Sequence, residues 1–140
     1  MEINWNQSIY NSLSEQLQLV CDNAKNWLIA QEPLSEKYIL QTKSDHPALW
    51  FSHVMENIEK AIDDKDQNAI DLGCLYVIAA QKAPFGKIHK SNVLVRLLRN
   101  HKLIKRRYVL NLEQTYEKLI QMKYPPRETR ELSKLLKKNR

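Results

Sequence analysis

Ala69 to Ala83 reads AIDLGCLYVIAAQKA, and ten of these residues, Leu72 to Gln81, pass without a charge. The run is too short to cross a membrane, which takes about 20 apolar residues. It is long enough for a helix that is apolar on nearly every side, and such a helix belongs in the middle of a packed core. The stretch therefore predicts a central helix, with Asp66 as its starting cap. Ala69 and Gly73 are four apart and small, so a neighbouring helix is expected to approach closely there. A glycine inside a helix costs about 0.5 to 1 kcal/mol against alanine, which that close packing would offset.

Upstream, Ile9, Leu13, Leu17, Val20, Ala24, Trp27 and Leu28 recur at steps of three and four. This spacing predicts one long helix, capped by Asn6 or Ser8 and running to about Ala30, after a loosely held lead-in from Met1 to Trp5. Pro33 ends it, and Ser35 to Lys43 reads as a short helix. Ser44-Asp45-His46-Pro47 is a start signal, because proline in a first turn leaves no amide unsatisfied. Phe51, Val54, Met55, Ile58, Ala61 and Ile62 continue that helix until Asp63-Asp64-Lys65 breaks it.

Downstream, Pro84-Phe85-Gly86 reads as a turn. Helices are expected from about His89 to Asn100, from Lys105 to Met122, and from Arg127 to Lys138, with Leu94, Leu97, Leu112, Leu119, Leu132 and Leu135 inward. Tyr124-Pro125-Pro126 separates the last two. With only two glycines and abundant Leu, Ile, Lys, Gln and Glu, the whole chain reads as all-α. At 140 residues it fits one domain, large enough to bury a core without a metal or disulfide framework.

The first helices of successive pairs begin near residues 6, 46 and 88, a spacing of about 40 that falls in the range of two-helix repeats. In that rhythm the chain resembles helical-repeat proteins of the HEAT and armadillo type. The resemblance implies six or seven helices in antiparallel pairs, stacked as an α-solenoid. It is one of period only, and no repeat consensus is matched residue for residue, so no functional residues carry over. A compact antiparallel helical bundle fits the same pattern.

Several chemistries are excluded. Neither Gly73 nor Gly86 belongs to a phosphate-cradling GxGxxG or GxxxxGK[ST] motif, and no GxSxG nucleophile elbow is present. His46, His53 and Glu56 could share a helix face, yet no HExxH or Cys/His set accompanies them. His89 and His101 sit among lysines and arginines, where a neutral imidazole is expected. Asp63, Asp64 and Asp66 are accounted for by capping rather than as a catalytic acid pair. The aromatics Trp5, Trp27, Trp50, Tyr76 and Phe85 read as packing. Cys21 and Cys74 are isolated and read as small buried side chains in a reducing compartment. No metal site and no cofactor are expected. The start MEINWNQSIY lacks a basic segment followed by an apolar one, so no secretory signal is expected and the cytoplasm is the expected compartment.

Charge is the most informative feature. Residues 1–81 carry five lysines and arginines against twelve acids, a net −7. Residues 82–140 carry seventeen against four, a net +13, so the overall +6 conceals a division into acidic and basic parts. Lys87, Lys90, Arg96, Arg99, Lys102, Lys105, Arg106 and Arg107 lie in twenty-one positions free of acid. Arg96, Arg99 and Lys102 step by three and are expected on one exposed face. Lys105-Arg106-Arg107 falls at a helix start, where cations are disfavoured, which suggests a negative partner. Arg127, Arg130, Lys134, Lys137, Lys138 and Arg140 form a second strip, tempered by Glu128 and Glu131.

Such strips are the electrostatic footprint of a nucleic-acid binder. They also suit an acidic protein partner, a solvated surface, or contact between the acidic and basic parts, within one fold or between two copies in a homo-oligomer. The expected function is a non-catalytic adaptor or regulator that presents a basic face to nucleic acid or an acidic protein, with no membrane partner. A dedicated protein-neutralising partner, such as a toxin-immunity protein or antitoxin, is the first alternative, and an enzyme of unrecognised type the second.

Overall fold

The structure, a computed structural model, describes residues 3–139. Among these are eight α-helices: α1 (Gln7–Ser12), α2 (Glu15–Ala30), α3 (Glu36–Gln41), α4 (Pro47–Asp63), α5 (Gln67–Ala80), α6 (Lys90–Arg99), α7 (Arg106–Ile120) and α8 (Thr129–Lys138). A 3-10 turn, His101–Leu103, lies between α6 and α7. No strand is present among the described residues, so the chain is all-α there.

The count exceeds six or seven because the long first helix is broken. Leu13 is extended, with ψ 151°, and the Ser14 side chain accepts from the Leu17 amide at 3.2 Å to start a new helix. Local hydrogen bonding by a serine wins here over a continuous apolar spacing. The Tyr10 hydroxyl donates to Asp22 at 2.8 Å, and the Gln18 amide donates to the Tyr10 carbonyl at 2.9 Å, which folds α1 back onto α2. The lead-in also differs from expectation. Trp5 meets Trp50 edge-on at 6.1 Å, stacks with Tyr10 at 5.7 Å, and carries the Lys25 ammonium over its ring at 4.6 Å. Met1 and Glu2 lie outside the described residues.

Elsewhere the caps fall as the sequence suggests. Asn6 caps α1, and Asp66 caps α5 through the Asn68 amide at 3.1 Å. At α4, Pro47 takes the first position and His46 is the cap, its Nδ1 accepting from the Ala48 amide at 3.2 Å. α3 is anchored by wholly buried Ser35, which donates to the Leu28 carbonyl at 2.6 Å.

α5 is the central helix. Ala69, Ile70, Asp71, Leu72, Gly73, Cys74, Tyr76, Val77 and Ala80 are all buried, each large apolar one contributing roughly 1.5–3 kcal/mol. It packs against α4, α6 and α7. α4 in turn carries α1, α2 and α3 on its other side, while α8 rests on α6 and α7. Gly73 lies at the α5–α6 crossing, where an added Cβ would come within 3.0–3.3 Å of Ile62, Val93 and Leu97. That is the close approach expected from Ala69 and Gly73.

The 81–89 loop sets where α6 begins. The Tyr76 hydroxyl, on buried α5, donates to the Gly86 carbonyl at 2.8 Å and accepts from the His89 amide at 3.3 Å. Phe85 inserts beside Phe51 at 5.4 Å and Trp27 at 6.1 Å, and Trp27 meets Tyr76 at 5.9 Å. These rings therefore serve packing.

Candidate anion-docking face

The eight cations of the 87–107 segment do not share one environment. Lys90 opens α6 and is buried, and its ammonium forms an ion pair with Glu128 and reaches Gln81 Oε1 at 3.4 Å. It is therefore a support between α6 and the start of α8 and does not belong to an exposed face. Burial alone would raise the Glu128 carboxyl, but the Lys90 hydrogen bond, with the Lys90 and Lys87 charges, holds it below the usual range.

Arg96 and Arg99 both turn to Asp63 at the end of α4. Arg96 Nε donates to Oδ2 at 3.1 Å, and Arg99 Nη1 lies 3.7 Å from Oδ1. Lys102 does not continue their row, because α6 ends at Arg99 and Lys102 sits in the 3-10 turn. Lys105 Nζ donates at 2.9 Å to Asp71, a buried carboxylate on α5. Asp71 also accepts from Gln67 at 2.8 Å, and Gln67 donates onward to the Leu103 carbonyl at 3.1 Å. A carboxylate taken out of water is costly unless such partners meet it. Lys105 thus ties the 3-10 turn and the start of α7 to the central helix.

Lys87, Lys102, Arg106 and Arg107 are exposed, and none of them is ion-paired with a carboxylate among the described residues. Arg107 lies over the Tyr108 ring at 4.9 Å and donates to the Tyr108 hydroxyl at 3.1 Å, which fixes its stem and leaves its charge exposed. α7 has no acid in its first turn, and the side chain of its cap residue Lys105 offers no acceptor to the free amides. Arg106, Arg107 and these amides therefore sum to a positive rim that no carboxylate among the described residues pairs with.

In the second strip, Leu132, Leu135 and Leu136 face inward, while Arg127, Arg130, Lys134, Lys137 and Lys138 are exposed and Arg140 lies outside the described residues. Lys134 pairs with Glu131 at 3.8 Å. Lys137 and Lys138 fall in the last turn of α8, where cations complement the helix end.

Asp66 caps α5 and accepts from Lys37 at 2.9 Å, whereas Asp63 faces the arginines. His89, expected in a basic setting, is instead buried with its Nδ1 3.3 Å from Glu59. Among the described residues no group of three or more His, Cys, Asp or Glu is placed to hold a metal. No helix among them is long and apolar enough to cross a membrane.

The sequence reading missed Glu59 and Asp71, the buried acids that receive His89 and Lys105. Asp71 carried a signal: an acid flanked by Ile70 and Leu72 in an otherwise apolar helix cannot reach water without help. Comparison with known proteins adds no family: no family model, no curated protein and no solved structure matches this chain significantly.

Proposed function

We propose that this is a non-catalytic binding protein whose α7 rim docks the phosphate backbone of a nucleic acid. The observation that carries the reading is the division of the cations. The acids take Lys90, Arg96, Arg99 and Lys105, while Arg106 and Arg107 stay exposed at an acid-free helix start with no side-chain cap and Lys102 stays exposed in the turn before it. Contacts of this kind position phosphates without reading bases. Tyr108, the nearest ring, is buried and covered by Arg107, which leaves no exposed stacking platform beside them.

Contact between the acidic and basic parts is already made inside one chain, through Asp63 and Asp71, which removes much of the motive for pairing two copies. The pairwise packing also favours the bundle over the stack. α5, α6, α8 and α7 follow one another in a closed circuit, and α6 and α7, consecutive in the chain, are not among the closely packed pairs.

The test is binding of a duplex across salt concentrations. Three phosphate contacts predict a loss of roughly 40-fold between about 50 and 200 mM salt. Arg106→Glu with Arg107→Glu should weaken all sequences alike, whereas Arg96→Glu should act on stability. No binding at low salt, or binding indifferent to salt, would end this reading. A nuclease-resistant stoichiometric complex with an acidic protein would replace it with the neutralising-partner alternative.

A further inference from the structure

The start of α8 faces the first half of α6 across a groove of about 650 Å³, with Ser91 and Val95 on one side and Pro126, Arg127, Glu128, Arg130 and Glu131 on the other. Its lining carries two arginines and two glutamates. Both carboxylates are committed elsewhere, Glu128 to the buried ammonium of Lys90 and Glu131 to Lys134 one turn on. Arg127 and Arg130 line the groove and are exposed, and neither has a carboxylate partner among the described residues. The groove therefore presents two unmatched guanidiniums and a serine hydroxyl beside the apolar surfaces of Val95 and Pro126.

A guanidinium is a planar fork that binds the oxygens of carboxylates and phosphates in pairs. Two of them on one wall match a dianion better than a single negative charge. The volume falls within the roughly 300–1,000 Å³ typical of small-ligand sites, which is more than a bare oxyanion needs. The geometry points to a small-molecule site for a phosphomonoester with a compact apolar body. Its phosphate would sit on Arg127, Arg130 and Ser91, and its body against Val95 and Pro126. This groove uses none of the rim residues Lys102, Arg106 and Arg107, so it stands or falls independently of the nucleic-acid reading.

The experiment is an amide-resolved NMR titration of the full chain with phenyl phosphate, inorganic phosphate and benzoate. Phenyl phosphate should move the Ser91, Val95 and Arg130 amides saturably, inorganic phosphate should bind more weakly, and benzoate weaker still. Arg127→Gln with Arg130→Gln should reduce phenyl phosphate affinity by at least about tenfold. Lys137→Gln with Lys138→Gln removes the same charge at the far end of α8, outside the groove, and should leave affinity unchanged. No saturable shift at those amides would overturn the site. Equal losses in the two double variants would reduce it to net charge. Benzoate binding as tightly as phenyl phosphate would overturn the phosphate assignment, and inorganic phosphate doing so would overturn the apolar contact.

Discussion

The carboxylate of Asp71, its side chain only 2% exposed on α5, accepts a hydrogen bond at 2.9 Å from the ammonium of Lys105. A cation that the sequence offers to a partner is thus spent on holding the start of α7 to the core. Lys105→Met keeps the stem and removes the charge, leaving Asp71 with Gln67 alone. The expected cost is about 1–3 kcal/mol, read as a lower urea midpoint, and Asp71→Asn in the same chain should recover part of it. Identical midpoints for Lys105→Met and the parent would rule out the strut.

Stability should fall in acid through Glu128 and Asp66. Burial pushes both carboxyls up, but hydrogen bonds and nearby charges, led by Lys90 for Glu128 and Lys37 for Asp66, together hold them below their usual values. A depressed folded value contributes stability that is fully present above the unfolded value, about 4 for these groups, and is lost as pH drops through the folded one. The thermal midpoint should therefore decline below pH of about 4. Glu128→Gln should begin lower, because Lys90 remains buried, and decline less steeply. Parallel curves for the two proteins would count against the pair.

The two glycines should rank in a definite order. A Cβ at Gly73 meets only side-chain tips, Ile62 Cδ1 at 3.0 Å, Val93 Cγ1 at 3.2 Å and Leu97 Cδ2 at 3.3 Å. Those tips can give, and the gain in helix propensity offsets part of the crowding, so Gly73→Ala should change stability by no more than about 1 kcal/mol. A Cβ at Gly86 runs into Ala80 itself, its Cβ at 2.8 Å and its Cα and carbonyl also in the way. Backbone must move, and the Tyr76 hydrogen bond to the Gly86 carbonyl moves with it. Gly86→Ala should cost about 2–3 kcal/mol by denaturant unfolding. The reverse order would refute the packing at both positions.

Neither thiol should react in the folded state. Burial, reinforced by Asp71, pushes Cys74 up to about 12, and burial with Asp22 raises Cys21. Thiolate is the reactive form. An aromatic disulfide reagent at mildly alkaline pH should therefore titrate no thiol until denaturant is added, when both appear. Prompt release of one equivalent from the native protein would show that a cysteine is more open than this.

Much of the fold was legible because it rests on local rules. The uncharged run after Asp71 marked α5, Asp66 and Asn6 marked caps, and Pro47 marked a helix start. The break at Leu13-Ser14 was hidden because Ile9, Leu13 and Leu17 keep helical spacing across it, and only the serine hydrogen bond interrupts the backbone. The site was legible as a set of charges and not as a surface. Arg96 meets an aspartate thirty-three residues before it, and Lys105 one thirty-four before it. Pairings over such separations depend on helix crossings that periodicity does not encode. Lys90 was the hardest to foresee, since a lysine beside His89 and Ser91 in a basic segment carries no local sign of burial.

Asp63, by serving Arg96 and Arg99 together, also sorts encounters. At long range the body shows +6 whatever its internal pairings, but ions screen that pull within about 8 Å at physiological salt. A visiting polyanion therefore responds to what lies inside that shell. Over α6 it meets a shared aspartate as well as two arginines, and over the start of α7 it meets cations alone. On the proposed nucleic-acid reading, one acid at the end of α4 would make the flank of α6 a place to glance off and the neighbouring edge a place to stay.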